Sequence, residues 1–149
     1  MEKSNGNCIR GIHYSTGKAI EVNTTGSFIE SIREIDTKNK NLLTIAPGLI
    51  DIQINGYKGY DFNKKPLDSK EWHAVVNELL KIGITTFYPT IITNSINGLS
   101  ENFKQNSDIV SGNSFLQKVI GGFHLEGPYI STLDGPRGAH EKEYTKPPD

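Results

Sequence analysis

Residues 49–55, LIDIQIN, open the part of the chain that decides the fold. This β-branched run is followed by a glycine-rich loop at residues 56–60 and then by a helix pattern. Asp68 and Glu71 have the spacing of a helix N-cap and its reciprocal acid, and Gly83 ends the pattern. The apolar residues at the spacing of one helix face are Trp72, Val75, Val76, Leu79 and Ile82. The whole stretch therefore predicts one strand–helix unit.

The same unit recurs further along the chain. A second strand is predicted at residues 84–90, ITTFYPT, and a second, weaker helix at residues 95–111. A third strand is predicted at residues 119–126, so the three strands begin at equal intervals. Repeated units of this kind predict parallel strands joined by right-handed helical crossovers, which is an α/β fold.

The predicted sheet is incomplete. Three parallel strands leave two unpaired edges, and a parallel sheet needs cover on both faces. A closed (β/α)8 barrel of the TIM type takes about 250 residues, whereas only about 100 follow Gly48. We therefore expect residues 47–149 to form the first three βα units of such a barrel, as the front part of a larger protein.

Residues 1–46 have a different character. Three β-rich runs, at residues 8–14, 18–22 and 27–35, are separated by turn residues. The isoleucines of the third run do not alternate cleanly, which leaves a short helical turn open there. We expect this segment to be a separate domain of short strands, which cannot close a core without a partner.

The composition excludes several classes of protein. With 35% hydrophobic and 22% charged residues and a net charge of -1, the chain is typical of a globular protein that does not bind nucleic acid. No stretch approaches the ~18–20 apolar residues that span a bilayer, so we expect no membrane association. The single cysteine, Cys8, cannot form an internal disulfide, and residues 1–10 lack the apolar core of a secretory signal. Both observations favour the cytoplasm.

Candidate reactive residues lie where the predicted strands end, because βα-barrel enzymes place their chemistry there. Alternate strand residues share a face, so Gln53 pairs with Asn55 and His124 with Glu126. A strand-end carboxylate such as Glu126 suits a divalent cation, although a surface acid in a turn is the commoner role. His124 is open in the same way, between ligand and core residue, and a loop histidine such as His140 is usually solvated. These residues leave a metal site open and name no substrate.

Two segments together resemble a known family. Residues 47–56, PGLIDIQING, resemble the first barrel strand of amidohydrolase-superfamily enzymes. Residues 123–130, FHLEGPYI, followed by RGAH at residues 137–140, resemble the N-acetylglucosamine-6-phosphate deacetylases, and the order and distance of the segments match that family as well. The resemblance covers essentially the whole chain and implies that residues 1–46 are strands of a small β-sandwich domain.

The resemblance implies roles for particular residues. It makes Glu126 a metal ligand, and it makes Ala139 and His140 part of a sugar-binding loop. Gln53 and Asn55 stand where most amidohydrolases carry two histidines on the first strand. Because an amide is a poor ligand for zinc beside an imidazole, this difference implies one divalent metal ion per site, zinc or another first-row ion.

The reaction implied by the resemblance is the hydrolysis of N-acetylglucosamine 6-phosphate to glucosamine 6-phosphate and acetate in amino-sugar catabolism. A metal-activated water attacks, an aspartate acts as general base and then general acid, and a histidine stabilises the oxyanion. In the family those two residues and two histidine ligands come later, after the position of Asp149, so we expect no catalytic residue within this chain and no useful activity from it alone. Arg137 lies near the implied substrate, yet such a charge is usually solvated. The resemblance also implies a homodimer or a higher homo-oligomer.

Two other functions remain open at this point. One is a different amidohydrolase that acts on another N-acylated sugar or on a cyclic amide. The other is a short non-catalytic protein that binds a sugar or pairs with a complementary chain. Open sheet edges are unfavourable for a monomer of that last kind.

Overall fold

The computed structural model describes residues 6–148, which divide into two units between Pro47 and Gly48. The amino-terminal unit is a four-stranded sheet with strands in the order β3-β2-β1-β4. Its strands are β1 (Gly6–His13), β2 (Ala19–Thr25), β3 (Phe28–Glu34) and β4 (Thr44–Ile45). The first three pair antiparallel, and β4 lies parallel to β1.

The strands predicted in this unit are confirmed, with bounds that differ by a few residues. The helical turn left open in the third run is not formed, because residues 28–34 pair with β2 as a regular strand with one bulge. The central carboxylate of Glu21 on β2 lies between Arg10 of β1, at 2.8 Å, and Arg33 of β3, at 2.9 Å. The hydrogen bond from Arg10 is the largest of the interactions that lower the pKa of Glu21 to about 2. These two ion pairs link the three antiparallel strands across one face of the sheet.

The carboxyl-terminal unit is built on a three-stranded parallel sheet in the order β5-β8-β9. Its elements, in chain order, are β5 (Leu49–Ile54), β6 (Gly56–Tyr57), β7 (Tyr60–Asp61), α1 (Ser69–Lys81), β8 (Ile84–Ile92), α2 (Ile96–Ser111), α3 (Leu116–Val119) and β9 (His124–Glu126), followed by a 3-10 helix (Lys142–Tyr144). The α/β fold predicted from the repeated strand–helix pattern is therefore present. Among residues 6–148, none of the helices has both the length and the apolar character that a membrane crossing requires.

The core of this unit lies between the sheet and helix α1. Phe62 stacks on Trp72 with ring centroids 5.1 Å apart, and on Phe87 at 6.3 Å. The predicted helix face is buried, with the exception of Ile82, which is half exposed. Ile82 leaves the face because the helix ends at Lys81 and the chain turns at Gly83, whose φ of 87° lies in the left-handed region.

Two local predictions in this unit are wrong. Residues 56–61 are not simply a loop, because β6 and β7 form a short antiparallel hairpin. The third strand begins at His124, not at Val119, which is the last residue of helix α3. The side-chain oxygen of Asn113 accepts hydrogen bonds from the backbone N–H groups of Phe115, the residue before α3, and Leu116, its first residue, at 3.0 and 3.1 Å.

The glycine pair between α3 and β9 explains why the strand starts late. A Cβ atom at Gly121 would lie 2.7 Å from the ring of Tyr88 on β8. The backbone therefore crosses closely over this aromatic ring, and Ile120 makes only an isolated bridge to Phe87. Regular pairing with β8 begins only at His124, opposite Thr90.

The N-terminus of helix α1 generates the first prediction. Asp68 accepts hydrogen bonds from the backbone N–H groups of Lys70 and Glu71, both at 2.8 Å, and Glu71 accepts from the N–H of Asp68 at 2.9 Å. These bonds lower the pKa of both carboxyls below their ordinary values of 3.8 and 4.5. A carboxyl with a lowered pKa in the folded state stabilises the fold above the pKa of the unfolded chain, and this contribution is lost as the pH falls.

We expect Asp68→Ala to lower the thermal midpoint of unfolding by a few degrees at pH 7, followed by the fluorescence of the single tryptophan, Trp72. The difference from the unmodified chain should shrink as the pH falls below about 4, because the wild-type carboxyl then loses its charge. Asp68→Asn is the matched control, since asparagine caps a helix without titrating. An equal loss at every pH would contradict this reading of the cap.

Candidate functional site

The C-terminal ends of the three parallel strands bring two of the predicted site residues into contact. Gln53 near the end of β5 donates a hydrogen bond from Nε2 to Oε2 of Glu126, the last residue of β9, at 2.9 Å. The two strands lie on opposite sides of β8, so this bond reaches across the end of the sheet. It engages one oxygen of the Glu126 carboxylate and leaves the second one, Oε1, for other partners.

The second oxygen of Glu126 faces His140. The imidazole Nε2 lies 3.4 Å from Glu126 Oε1, and Nδ1 lies 2.9 Å from the hydroxyl of Thr93. His140 is 9% exposed, so the expectation of a solvated loop histidine is wrong. The reason is a contact between residues 47 positions apart, which a sequence pattern does not reveal.

Arg137 is also not solvated, contrary to expectation. Its side chain is 22% exposed, donates from Nη1 to the backbone oxygen of His140 at 2.6 Å, and pairs through Nη2 with Asp134 at 2.5 Å. The guanidinium group therefore links His140 to Asp134, which lies earlier in the same loop. In this arrangement Arg137 stabilises the loop conformation.

A cavity of about 850 Å³ lies against these residues. Asn55 and the hairpin that follows it form one wall, and Glu126 lines the cavity beside His140. Ala139, His140 and Arg137 also line it. Of the two amides predicted on the first strand, Asn55 directly follows β5 and lines this cavity, whereas Gln53 lies on β5 and contacts Glu126.

One wall of the cavity is fastened to β8 by Asn63, which sequence reasoning missed. Its Nδ2 donates to the backbone oxygen of Thr90 at 2.9 Å, and its Oδ1 accepts from the backbone N–H of Ile92 at 2.8 Å. The β5–β8 ladder ends at Ile54, so the Asn63 side chain pairs with β8 beyond that point. Its position directly after the buried Phe62 is the one local signal that could have drawn attention to it.

His124 has a supporting role in the sheet. Its Nδ1 lies 2.9 Å from the backbone oxygen of Ile52, to which the ring N–H donates. Since a carbonyl oxygen can only accept, that nitrogen is protonated and cannot coordinate a metal. The contact links β9 to β5 across the end of β8, in parallel with the bond between Gln53 and Glu126.

The described residues offer a metal ion one carboxylate beside one imidazole. Within residues 6–148, no group of three or more histidine, cysteine, aspartate or glutamate side chains is placed to hold a metal. Glu126 fits a divalent cation in its chemistry, because an oxygen remains for the ion after the bond from Gln53. A catalytic zinc needs about three protein ligands, so these residues supply part of such a site.

Comparison with known proteins gives consistent matches to one enzyme. No family model matches the chain. The chain is 40% identical over 103 residues to N-acetylglucosamine-6-phosphate deacetylase of Mus musculus, a match that covers 68% of this chain and 24% of the relative. It is 32% identical over 153 residues to the enzyme of the same name from Haemophilus influenzae, covering 94% of this chain and 37% of the relative. The matches thus span 24% to 37% of the length of these two relatives.

Solved structures of proteins with the same name share the fold. The structure from Pasteurella multocida matches with a TM-score of 0.75 at 24% identity, over 97% of this chain and 40% of that one. The structure from Thermotoga maritima matches with a TM-score of 0.76 at 22% identity, over 97% and 38%. These structures share the fold, and the curated relatives confirm the resemblance predicted from residues 47–56, 123–130 and 137–140.

The contacts of Asn63 generate the second prediction. We expect Asn63→Ala to lower the free energy of unfolding by about 1–3 kcal/mol, because two backbone groups of β8 lose their partner. Urea unfolding followed by Trp72 fluorescence measures this change. Lys64→Ala, at the exposed neighbouring position, is the matched control and should leave the midpoint nearly unchanged. Equal midpoints for both variants would show that the Asn63 contacts do not fasten the cavity wall.

Proposed function

We propose that this chain, a relative of the N-acetylglucosamine-6-phosphate deacetylases over the part of them that it spans, supplies part of the active site of such an enzyme. The reaction is the hydrolysis of N-acetylglucosamine 6-phosphate to glucosamine 6-phosphate and acetate. The observation that carries the proposal is the meeting of Glu126 with His140 at the strand ends, within a chain whose curated relatives bear this name. One of the structures with the same fold, from Mycobacterium smegmatis, was determined in complex with N-acetyl-D-glucosamine-6-phosphate.

We infer that residues 47–149 correspond to the first three βα units of a (β/α)8 barrel and residues 1–46 to part of a β-sandwich domain. The parallel order β5-β8-β9 and the strand–helix alternation support the first assignment. The separate sheet of β1 to β4 supports the second. In this arrangement the reactive groups belong at the C-terminal ends of the strands, where Gln53 and Glu126 lie.

In the proposed enzyme Glu126 is a ligand of one divalent metal ion, zinc or another first-row ion. The bound ion would acidify a water and polarise the acetamide carbonyl. Gln53 supports a single-metal site, because its amide donates to Glu126 and so orients the carboxylate instead of competing for the ion. Asn55, the other amide at a position usually held by histidine, lines the cavity, where it can hydrogen-bond a substrate.

The loop residues Ala139 and His140 are proposed to contact the sugar. Both line the cavity beside Glu126, and the loop is held in place by the bond from Arg137 to the His140 carbonyl. A buried imidazole at this point can position a sugar hydroxyl close to the metal-facing carboxylate. For the whole enzyme we propose a cytoplasmic location and a homodimeric or higher homo-oligomeric state.

The test of this function uses a chimera. The 149 residues are joined to the segment of the Haemophilus influenzae relative that follows the matched region, and acetate release from N-acetylglucosamine 6-phosphate is measured. We expect hydrolysis by the chimera and none by the 149-residue chain, because one carboxylate cannot hold a catalytic metal. In the chimera, Glu126→Gln should remove the metal and lower activity by more than about 100-fold, since even groups that only orient a ligand are worth 10–100-fold.

Glu101→Gln, on the exposed side of α2, is the matched control and should keep metal and activity. A folded chimera that hydrolyses another N-acylated sugar or a cyclic amide, but not N-acetylglucosamine 6-phosphate, would favour a different amidohydrolase. Tight sugar binding by the 149-residue chain alone, with an inactive chimera, would favour a non-catalytic binding protein. Either result would overturn the proposed substrate.

A further inference from the structure

Thr93 contacts two residues of the site, Glu126 and His140, although no sequence pattern predicted a role for it. It directly follows β8, is 4% exposed, and its hydroxyl contacts both the backbone oxygen of Glu126, at 3.2 Å, and His140 Nδ1, at 2.9 Å. Gly127 makes room for this hydroxyl, since a Cβ atom there would lie 1.9 Å from Thr93 Oγ1. The φ of Gly127, 90°, also lies in the left-handed region that favours glycine. The chain is therefore shaped around the Thr93 hydroxyl.

The protons of this network can be assigned by counting donors. A carbonyl oxygen only accepts, so the contact with Glu126 uses the single proton of the Thr93 hydroxyl. The hydroxyl then has no proton left for His140, and Nδ1 of the imidazole must donate to it. The opposite nitrogen, Nε2, lies 3.4 Å from Glu126 Oε1, which is longer than an ordinary N–H···O hydrogen bond.

The geometry points to Thr93 as the positioning residue of this site: its hydroxyl selects the tautomer of His140 that carries its proton on Nδ1, and it turns Nε2 toward Glu126. Thr93 acts through His140 and Glu126, and it touches both. Two acceptors, the imidazole Nε2 and the carboxylate Oε1, then face the same point. A ligand group that donates hydrogen bonds, such as a sugar hydroxyl, or a cation suits that point, whereas a third acceptor is repelled.

The nature of the ligand at this point rests on the proposed function, but the test of the role of Thr93 does not require catalysis. The 149-residue chain is labelled with nitrogen-15, and long-range proton–nitrogen correlation spectra in alkaline buffer show which imidazole nitrogen carries the proton. The chain has four histidines, and His140→Gln identifies the signals of His140. We expect protonated Nδ1 and unprotonated Nε2 for His140 in the unmodified chain.

Three variants separate positioning from a merely structural effect. Thr93→Ser keeps the hydroxyl and should keep the Nδ1–H form. Thr93→Val keeps the volume but removes the hydroxyl, and it should shift the tautomer ratio of His140 by about 2- to 10-fold toward Nε2–H. Thr90→Val, the matched control, removes a fully buried hydroxyl of β8, whose contact is only a 3.5 Å approach to the Tyr88 backbone oxygen, and should leave His140 unchanged.

An Nε2–H form in the unmodified chain would overturn the inference, as would an unchanged ratio in a folded Thr93→Val variant. If Thr93→Val does not fold, the unmodified chain and Thr93→Ser decide the matter, because both must show the Nδ1–H form. An inactive chimera together with the expected tautomer would reject the deacetylase proposal and leave this inference standing. An active chimera together with the Nε2–H form of His140 would reject the role of Thr93 and leave the deacetylase proposal standing.

Discussion

Strand β8 is the central element of the carboxyl-terminal unit, because β5, β9 and all three of the α-helices described in that unit contact it. It pairs with β5 along one edge and with β9 along the other, so it fixes the distance across which Gln53 and Glu126 meet. Its residues Phe87 and Ile91 are almost completely buried in the core cluster that also contains residues of α1. Burial of this kind, of order 1.5–3 kcal/mol for each large apolar side chain, holds the strand in one register. The packing of Phe87 and Ile91 in the core therefore positions the site at the C-terminal end of β8.

The candidate site begins where regular strand pairing stops. After the last β5–β8 pair, Ile54 with Pro89, the amide of Asn63 hydrogen-bonds the β8 backbone. After the end of β8, the hydroxyl of Thr93 hydrogen-bonds the backbone oxygen of Glu126, the last residue of β9. Side chains thus replace backbone partners at the strand ends, which satisfies buried polar groups that would otherwise be costly. Pairing by side chains also leaves room for a cavity, because a side-chain amide or hydroxyl occupies less space than a further strand. Rigid strands and polar side chains at their ends are a general way to hold a binding site.

The features predicted correctly from the sequence are those set by neighbours in the chain. The capping box of Asp68 and Glu71, the buried face of α1 and the strand–helix alternation all depend on residues within a few positions of one another. Helix α3 was missed because one asparagine, Asn113, starts it, while the apolar residues around Val119 are equally typical of a strand. The burial of His140 was missed because it depends on Thr93, which lies far away in sequence and adjacent in space. The pairing of Gln53 with Glu126 was likewise beyond the reach of local patterns, although each residue was singled out by its position at a strand end.

The charge balance of the site explains why an amide suits position 53. Glu126 is one carboxylate, and of the two side chains that contact it, Gln53 carries no charge and His140 is an imidazole. A histidine in place of Gln53 would bring a second imidazole to the same carboxylate and a donor set for a second ion. The amide instead donates one hydrogen bond, carries no charge and leaves Oε1 of Glu126 beside the imidazole of His140. A partly buried anionic oxygen gains most from a cation placed directly against it, which is the physical argument behind the proposal of one metal ion at Glu126.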